Sequence, residues 1–347
     1  WVAQQYLPST LQGKVFYQPS DTGREAAIRD QVLRRRELQI ATALEPPSHE
    51  VLTFSPPSGA NARWIERLSS GRSAALSAIR ERIFAPLAIL RHSTILDADA
   101  RTGLLLWEAL RRAPEGGAWG IVGTEDEAAV LEHRMRDLEH AARPVILRPG
   151  RSLLEICRSM IDGDDEMLAT ETGMEPGVKV DFVVGRDLFT RVPASDRPAL
   201  ARLLLAPVAA GGAVSLAQVV PARGQRLSAL AEVADQELAR KLREAEERAY
   251  SDPSSALVGW RESDLAEAFR SAGAPEVMVE VQRFEDARRI TEGELDAWLS
   301  PDGAYGRALA AALTAPEMEE VRRRLGARLI GRETSWTSVV AFLVARK

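Results

Sequence analysis

Short, nearly unbroken apolar runs recur along most of this chain. They fall at Ser93–Asp97, Ala118–Val122, Pro144–Leu147, Val178–Val184, Ala213–Val220, Glu276–Gln282 and Trp336–Ala345. Runs of this length, bounded by turn-forming or charged residues, predict strands. Between the first five lie stretches with helical apolar spacing: Leu104–Arg112, Glu127–Ala142, Ser152–Ile161 and Ala199–Leu205. Strand and helix alternating at this interval imply right-handed crossovers and a mostly parallel sheet. The run Val178-Lys179-Val180-Asp181-Phe182-Val183-Val184 suits a strand covered on both faces. The predicted fold is α/β, doubly wound.

The beginning of the chain reads differently. Pro8, Gly13, Pro19 and Gly23 punctuate it, and a charged helical run follows from Arg24 to Ala43. Then come Pro46-Pro47-Ser48 and Ser55-Pro56-Pro57-Ser58-Gly59, where paired prolines stop a helix and act as a stiff spacer. The expected organisation is a short helical tail over 1–45, a Pro/Ser-rich linker over 46–61 and a main domain over 62–347. Two helical insertions, near 225–255 and 291–332, exceed what the strand pattern requires.

Composition narrows the chemistry. With 45% hydrophobic and 27% charged residues, the 347-residue chain has enough apolar material for a large core, which argues against disorder. A net charge of -5 gives no global reason to expect a nucleic-acid surface. The single cysteine, Cys157, excludes an internal disulfide framework and a Cys-rich zinc site; its apolar surroundings point to a buried, inert thiol. His49, His92, His133 and His140 have no metal-ligand spacing and read as surface residues. The longest apolar run, Val339–Ala345, is too short to span a bilayer, so no membrane association and a cytoplasmic location are expected. The start at Trp1 suggests a piece of a longer protein.

Trp1-Val2-Ala3-Gln4-Gln5-Tyr6-Leu7-Pro8, with Leu11, Gly13, Tyr17, Pro19, Gly23 and Glu25, resembles the extreme C-terminus of the RarA/MgsA family of replication-associated recombination AAA+ ATPases. The resemblance spans roughly residues 1–37. It implies a parent acting in DNA replication and recombination, with its own ATPase module as partner and, through the parent, DNA and single-stranded-DNA-binding protein. No Gly-x-x-x-x-Gly-Lys-Ser/Thr phosphate cradle occurs in these residues, so ATP is a ligand of the absent N-terminal module alone. Arg34-Arg35-Arg36 reads as a solvated helix face, with phosphate contact as the other reading.

Residues 62–347 resemble a class I S-adenosylmethionine (SAM) methyltransferase domain. That resemblance implies seven strands with an antiparallel last one, and SAM as the cofactor. Ile95-Leu96-Asp97-Ala98-Asp99-Ala100-Arg101-Thr102-Gly103 stands where the family has its first strand and glycine loop. Asp97 keeps the acid that ends the strand and Gly103 the last loop glycine. Asp99 and Arg101 replace the first two glycines, where the backbone must approach the cofactor's methionine moiety. After the second strand, Glu125 could supply the ribose-binding acid if the strand runs further. Asp181 lies in the segment resembling the fourth strand, ahead of Gly185-Arg186-Asp187. Arg101 is expected to fill the cofactor space or form a salt bridge in it.

Catalytic signatures are missing: no Asn/Asp-Pro-Pro-aromatic run follows the fourth strand, and no Pro-Cys nucleophile occurs. Asp187 reads as a cap of the next helix. The charged stretch Ser228–Tyr250 reads as one exposed helix, either a substrate lid or a dock for the missing ATPase. Arg322-Arg323-Arg324, with Arg328 and Arg332, is the densest basic cluster, and phosphate contact there needs charge unopposed by Glu317, Glu319 and Glu320. Two readings remain open. One is a non-catalytic accessory interaction domain with a degenerate SAM site; the other is an active SAM-dependent methyltransferase of unknown acceptor.

Overall fold

The computed structural model describes Pro19 and residues 23–44, 70–135, 143–148 and 179–347. The linker 46–61, the predicted helix Ser152–Ile161, Cys157, His49 and His140 lie outside the described residues.

Seven strands form one sheet: β1 (Thr94–Asp97), β2 (Gly117–Ile121), β3 (Val145–Leu147), β4 (Val180–Arg186), β5 (Val208–Val219), β6 (Glu276–Arg289) and β7 (Glu333–Arg346). Their order is β3-β2-β1-β4-β5-β7-β6. The pairs β1–β2, β1–β4, β2–β3 and β4–β5 are parallel. The last strand is antiparallel to both neighbours, so β6 runs with the other five. This is the expected doubly wound sheet of class I methyltransferase type.

The helices are α1 (Gly23–Leu44), α2 (Ser70–Phe84), α3 (Leu104–Arg112), α4 (Glu125–Met135), α5 (Arg197–Leu205), α6 (Ser228–Ala231), α7 (Gln236–Tyr250), α8 (Glu262–Ser271), α9 (Glu292–Leu299), α10 (Ala304–Ala310) and α11 (Ala315–Leu329). One face of the sheet packs α5 and α8 through Leu200, Leu204, Leu265 and Phe269. The other packs α1, α2 and α3 through Leu38, Ile83, Leu104 and Leu105. Burial of β4 on both sides explains its nearly continuous apolar sequence.

Two departures have local causes. The predicted single helix Ser228–Tyr250 is broken: Glu232 adopts a left-handed φ of 46°, and the Asp235 carboxylate accepts from the amides of Glu237 (2.8 Å) and Leu238 (3.1 Å), starting α7 afresh. Strands β6 and β7 also run past their predicted ends. They pair from Glu276↔Arg346 through Arg289↔Glu333, beyond where apolar residues are dense. Mutual backbone pairing supports this ribbon, and Phe284 and Trp336 are buried on it.

The two insertions pack on each other. Leu238, Leu242 and Tyr250 of one share a core with Trp298, Tyr305, Val321 and Leu325 of the other and with Trp336. Buried Glu246 ties them, accepting from the Leu227 amide (2.6 Å) and the Tyr305 hydroxyl (2.9 Å). Lys241 of α7 reaches Glu317 of α11 at 2.8 Å. Thr291 with Glu294, and Thr314 with Glu317, close capping boxes that start α9 and α11. Because β5 and β6 end, and β7 begins, on the side where β1 and β4 end, this lobe stands on the edge of the sheet where the carboxyl ends of β1 and β4 lie.

Candidate functional site

In an open parallel sheet a ligand crevice forms where the strand order reverses, outside the carboxyl ends of the strands. Here that point lies between β1 and β4, and two loops border it: 98–103 and 187–191.

Asp97 ends β1 and is only 1% exposed. Its Oδ1 accepts from the Asp99 amide at 3.1 Å. Burial raises its pKa from 3.8 to about 7, and the charge of Asp99 adds to the rise. Asp99 has φ -151°, outside the left-handed region. Ala100–Thr102 make a single turn of 3₁₀ helix, and Gly103 then takes φ 71° to open α3. A Cβ at Gly103 would stand 2.4 Å from Trp107 Nε1, so this position requires glycine for space as well as for φ. Gly103→Ala is therefore expected to cost about 1–3 kcal/mol in chemical denaturation; a change under about 0.5 kcal/mol would mean the loop relaxes freely.

Asp99 Oδ2 receives two guanidinium groups: Arg101 at 3.0 Å from its own loop, and Arg191 at 2.9 Å from the loop after β4. The side chains of Asp99, Arg101 and Arg191 are 17%, 20% and 30% exposed, so the pairs are largely shielded from water. The Asp99–Arg191 contact joins the two loops bordering the crevice. Arg191 carries no signal in the sequence; only the fold brings it to Asp99. Beside it, Arg186 Nε approaches Asp187 Oδ2 at 3.5 Å. Asp187 does not cap a helix as expected. Its carboxylate accepts from the Val219 amide at 2.8 Å, continuing the β4–β5 pairing, and its φ of 53° is a strained value outside glycine.

The other candidate residues are not gathered here. Strand β2 ends at Ile121, and Glu125 begins α4 with its side chain 81% exposed, 3.6 Å from Arg148. The chain after β2 is closed by Glu127, whose carboxylate accepts from the amides of Gly123 (2.8 Å) and Thr124 (3.2 Å). Asp181 sits at the opposite end of β4, accepting from the Thr94 amide (2.7 Å) and hydroxyl (3.1 Å), and so ties β4 to the start of β1.

The basic cluster on α11 is matched by acids. Arg322 pairs with Asp296, Arg323 and Arg324 with Glu320 (2.7 and 2.6 Å), and Arg328 with Glu232 (3.3 Å). Charge compensated in this way contributes little to phosphate binding. Among the described residues no group of His, Cys, Asp and Glu is arranged to hold a metal ion, and no helix is long and apolar enough to cross a membrane.

No protein-family model matches the chain, and a search of curated proteins finds no match. Among solved structures it is similar to mycolic acid cyclopropane synthase CmaA1 in complex with S-adenosylhomocysteine, at 13% identity and a TM-score of 0.44, covering 89% of this chain and 93% of that one. It is similar to the cyclopropane synthase MmaA2 of Mycobacterium tuberculosis at 12% identity and a TM-score of 0.41, covering 89% and 94%. It also matches the phosphoethanolamine N-methyltransferase 2 of Haemonchus contortus at 14% identity and a TM-score of 0.42, covering 93% of this chain and 59% of that one. The strand order and directions described above are what define the class of fold.

Proposed function

We propose that residues 62–347 serve as an accessory interaction domain, built on the methyltransferase fold, whose SAM crevice is closed by its own side chains. The observation that carries this reading is the Asp99 carboxylate held between Arg101 and Arg191 across the β1–β4 switch point. A cofactor's methionine end would have to enter between these loops. It would meet a carboxylate where the resembled family has glycine, and the acids after β2 are placed elsewhere, Glu125 exposed on α4 and Glu127 taken up by the Gly123 and Thr124 amides. The residues present therefore fit S-adenosylmethionine poorly, and no step of a methyl transfer is derived through it. Breaking both contacts costs about 2–3 kcal/mol at this depth, roughly a hundredfold in affinity for any ligand that must open the crevice.

In this reading residues 1–45 are the C-terminal tail of a RarA/MgsA-like ATPase module. That module is the domain's partner, and DNA and single-stranded-DNA-binding protein are reached through it. The support is the Trp1–Glu25 pattern, and the coding sequence ahead of Trp1 is expected to encode a Gly-x-x-x-x-Gly-Lys-Ser/Thr motif. A reading frame without one removes the parentage.

An active SAM-dependent methyltransferase of unknown acceptor is the second reading. It is favoured by the retained acid and glycine, Asp97 and Gly103, and by two guanidinium groups that could pass from Asp99 to a ligand carboxylate. Calorimetric titration with S-adenosylhomocysteine separates the two. The native chain is expected to give no binding heat in the micromolar range, and the Asp99→Gly/Arg101→Gly variant is expected to bind. Micromolar binding by the native chain would establish the second reading instead.

A further inference from the structure

The N-terminal helix α1 lies against the Ala100–Thr102 turn as well as against α2 and α3. Its Leu38 and Ala41 are buried in the core that also holds Ala100, Leu104 and Leu105. Buried Glu37 accepts from Arg111 of α3 at 2.6 Å, and Arg111 in turn holds Glu108 at 2.7 Å. Apolar and ionic contacts thus clamp α1 onto the segment that carries Arg101.

We propose that α1 is a strap that keeps the switch-point crevice closed. Docked, it pins the 100–102 turn, which sets Arg101 and Arg191 on Asp99; withdrawn, it frees the turn and lets the β1 and β4 loops part. This inference rests on the reading above, in which the Arg101–Asp99–Arg191 contacts close the crevice. Withdrawal takes the Glu37 carboxylate away from Arg111, so redocking restores a part-buried ion pair.

Hydrogen exchange read by mass spectrometry on the full chain tests the strap. In Glu37→Lys/Leu38→Asp, exchange across 23–44 and across 97–103 is expected to rise together by about tenfold or more. Peptides covering α7 and α11 should keep native protection, showing that the domain remains folded. Should that variant unfold throughout, Glu37→Gln carries the same test with a smaller rise. Coupling is reciprocal, so Asp99→Asn should in turn raise exchange across 23–44. Exposure of α1 with 97–103 unchanged would overturn the strap while leaving the closed crevice intact. Asp99→Asn altering neither 97–103 nor 186–191 would instead overturn the closure itself, and the strap with it.

Discussion

Asp97→Asn is expected to gain stability relative to the native chain as pH rises. The native carboxyl is buried, and its pKa rises from 3.8 to about 7 on folding. Between those values the unfolded chain has released a proton that the folded chain still holds, so native stability falls as pH rises through that window. At about 1.4 kcal/mol per unit the full loss is about 4 kcal/mol, reached above pH 7. Asparagine does not titrate. Its amide brings a donor into the buried site of the carboxyl, which shifts the offset between the two proteins but not its slope. Denaturant unfolding at pH 5 and pH 8 should show the difference widening by about 3 kcal/mol. A difference that stays constant across this range would mean that Asp97 is charged in the folded state. The result bears on function because it decides whether the acid at the crevice is neutral near pH 7.

Glu108→Gln is expected to cost about 3 kcal/mol near neutral pH. Glu108 is fully buried and takes Arg111 at 2.7 Å and Arg112 at 2.8 Å, with Arg80 Nε at 3.7 Å. Burial alone would push its pKa up; the charge of Arg111 and hydrogen bonds from Arg111 and Arg112 outweigh it and hold the pKa at about 2, against 4.5 ordinarily. A depressed folded pKa gives stability that is present above pH 4.5 and lost as pH falls toward 2. The variant should therefore be weaker at pH 7 and less sensitive to acid within that window. Glutamine removes the negative charge that Arg80, Arg111 and Arg112 share and turns one of the two accepting oxygens into a donor facing a guanidinium, which is why the loss exceeds that of a surface pair. Equal stability of variant and native chain at pH 7 would show that the ion cluster joining α1, α2 and α3 does not form in solution.

The strands were legible because each is an apolar run bounded by residues that end it, and a sheet covered on both faces leaves little polar alternation to confuse the reading. Helix α3 was legible from its spacing, and α9 and α11 as helical stretches of the second insertion; their capping boxes appear only in the structure. Helix α2 was not, because Arg80 lies buried on its inner side among Leu76, Ile79 and Ile83 and breaks the apolar stripe. At the candidate site the loop of Asp97–Gly103 was found from its resemblance, and Gly103 has the left-handed φ that a loop glycine is kept for. The partner of Asp99 was not found. Arg191 lies 92 residues further along, as Arg111 lies 74 from Glu37, and contacts made by folding over such separations leave no periodicity to read. The shared core of the two insertions escaped for the same reason: each was legible as helices, and neither says what its apolar face covers.

The most direct measurement is a crystal structure of the chain grown with S-adenosylhomocysteine in millimolar excess. The account predicts Asp99 between Arg101 and Arg191, α1 docked on the 100–102 turn, and no ligand between the β1 and β4 loops. S-adenosylhomocysteine seated against the 97–103 backbone, with Arg191 turned away from Asp99, would contradict it.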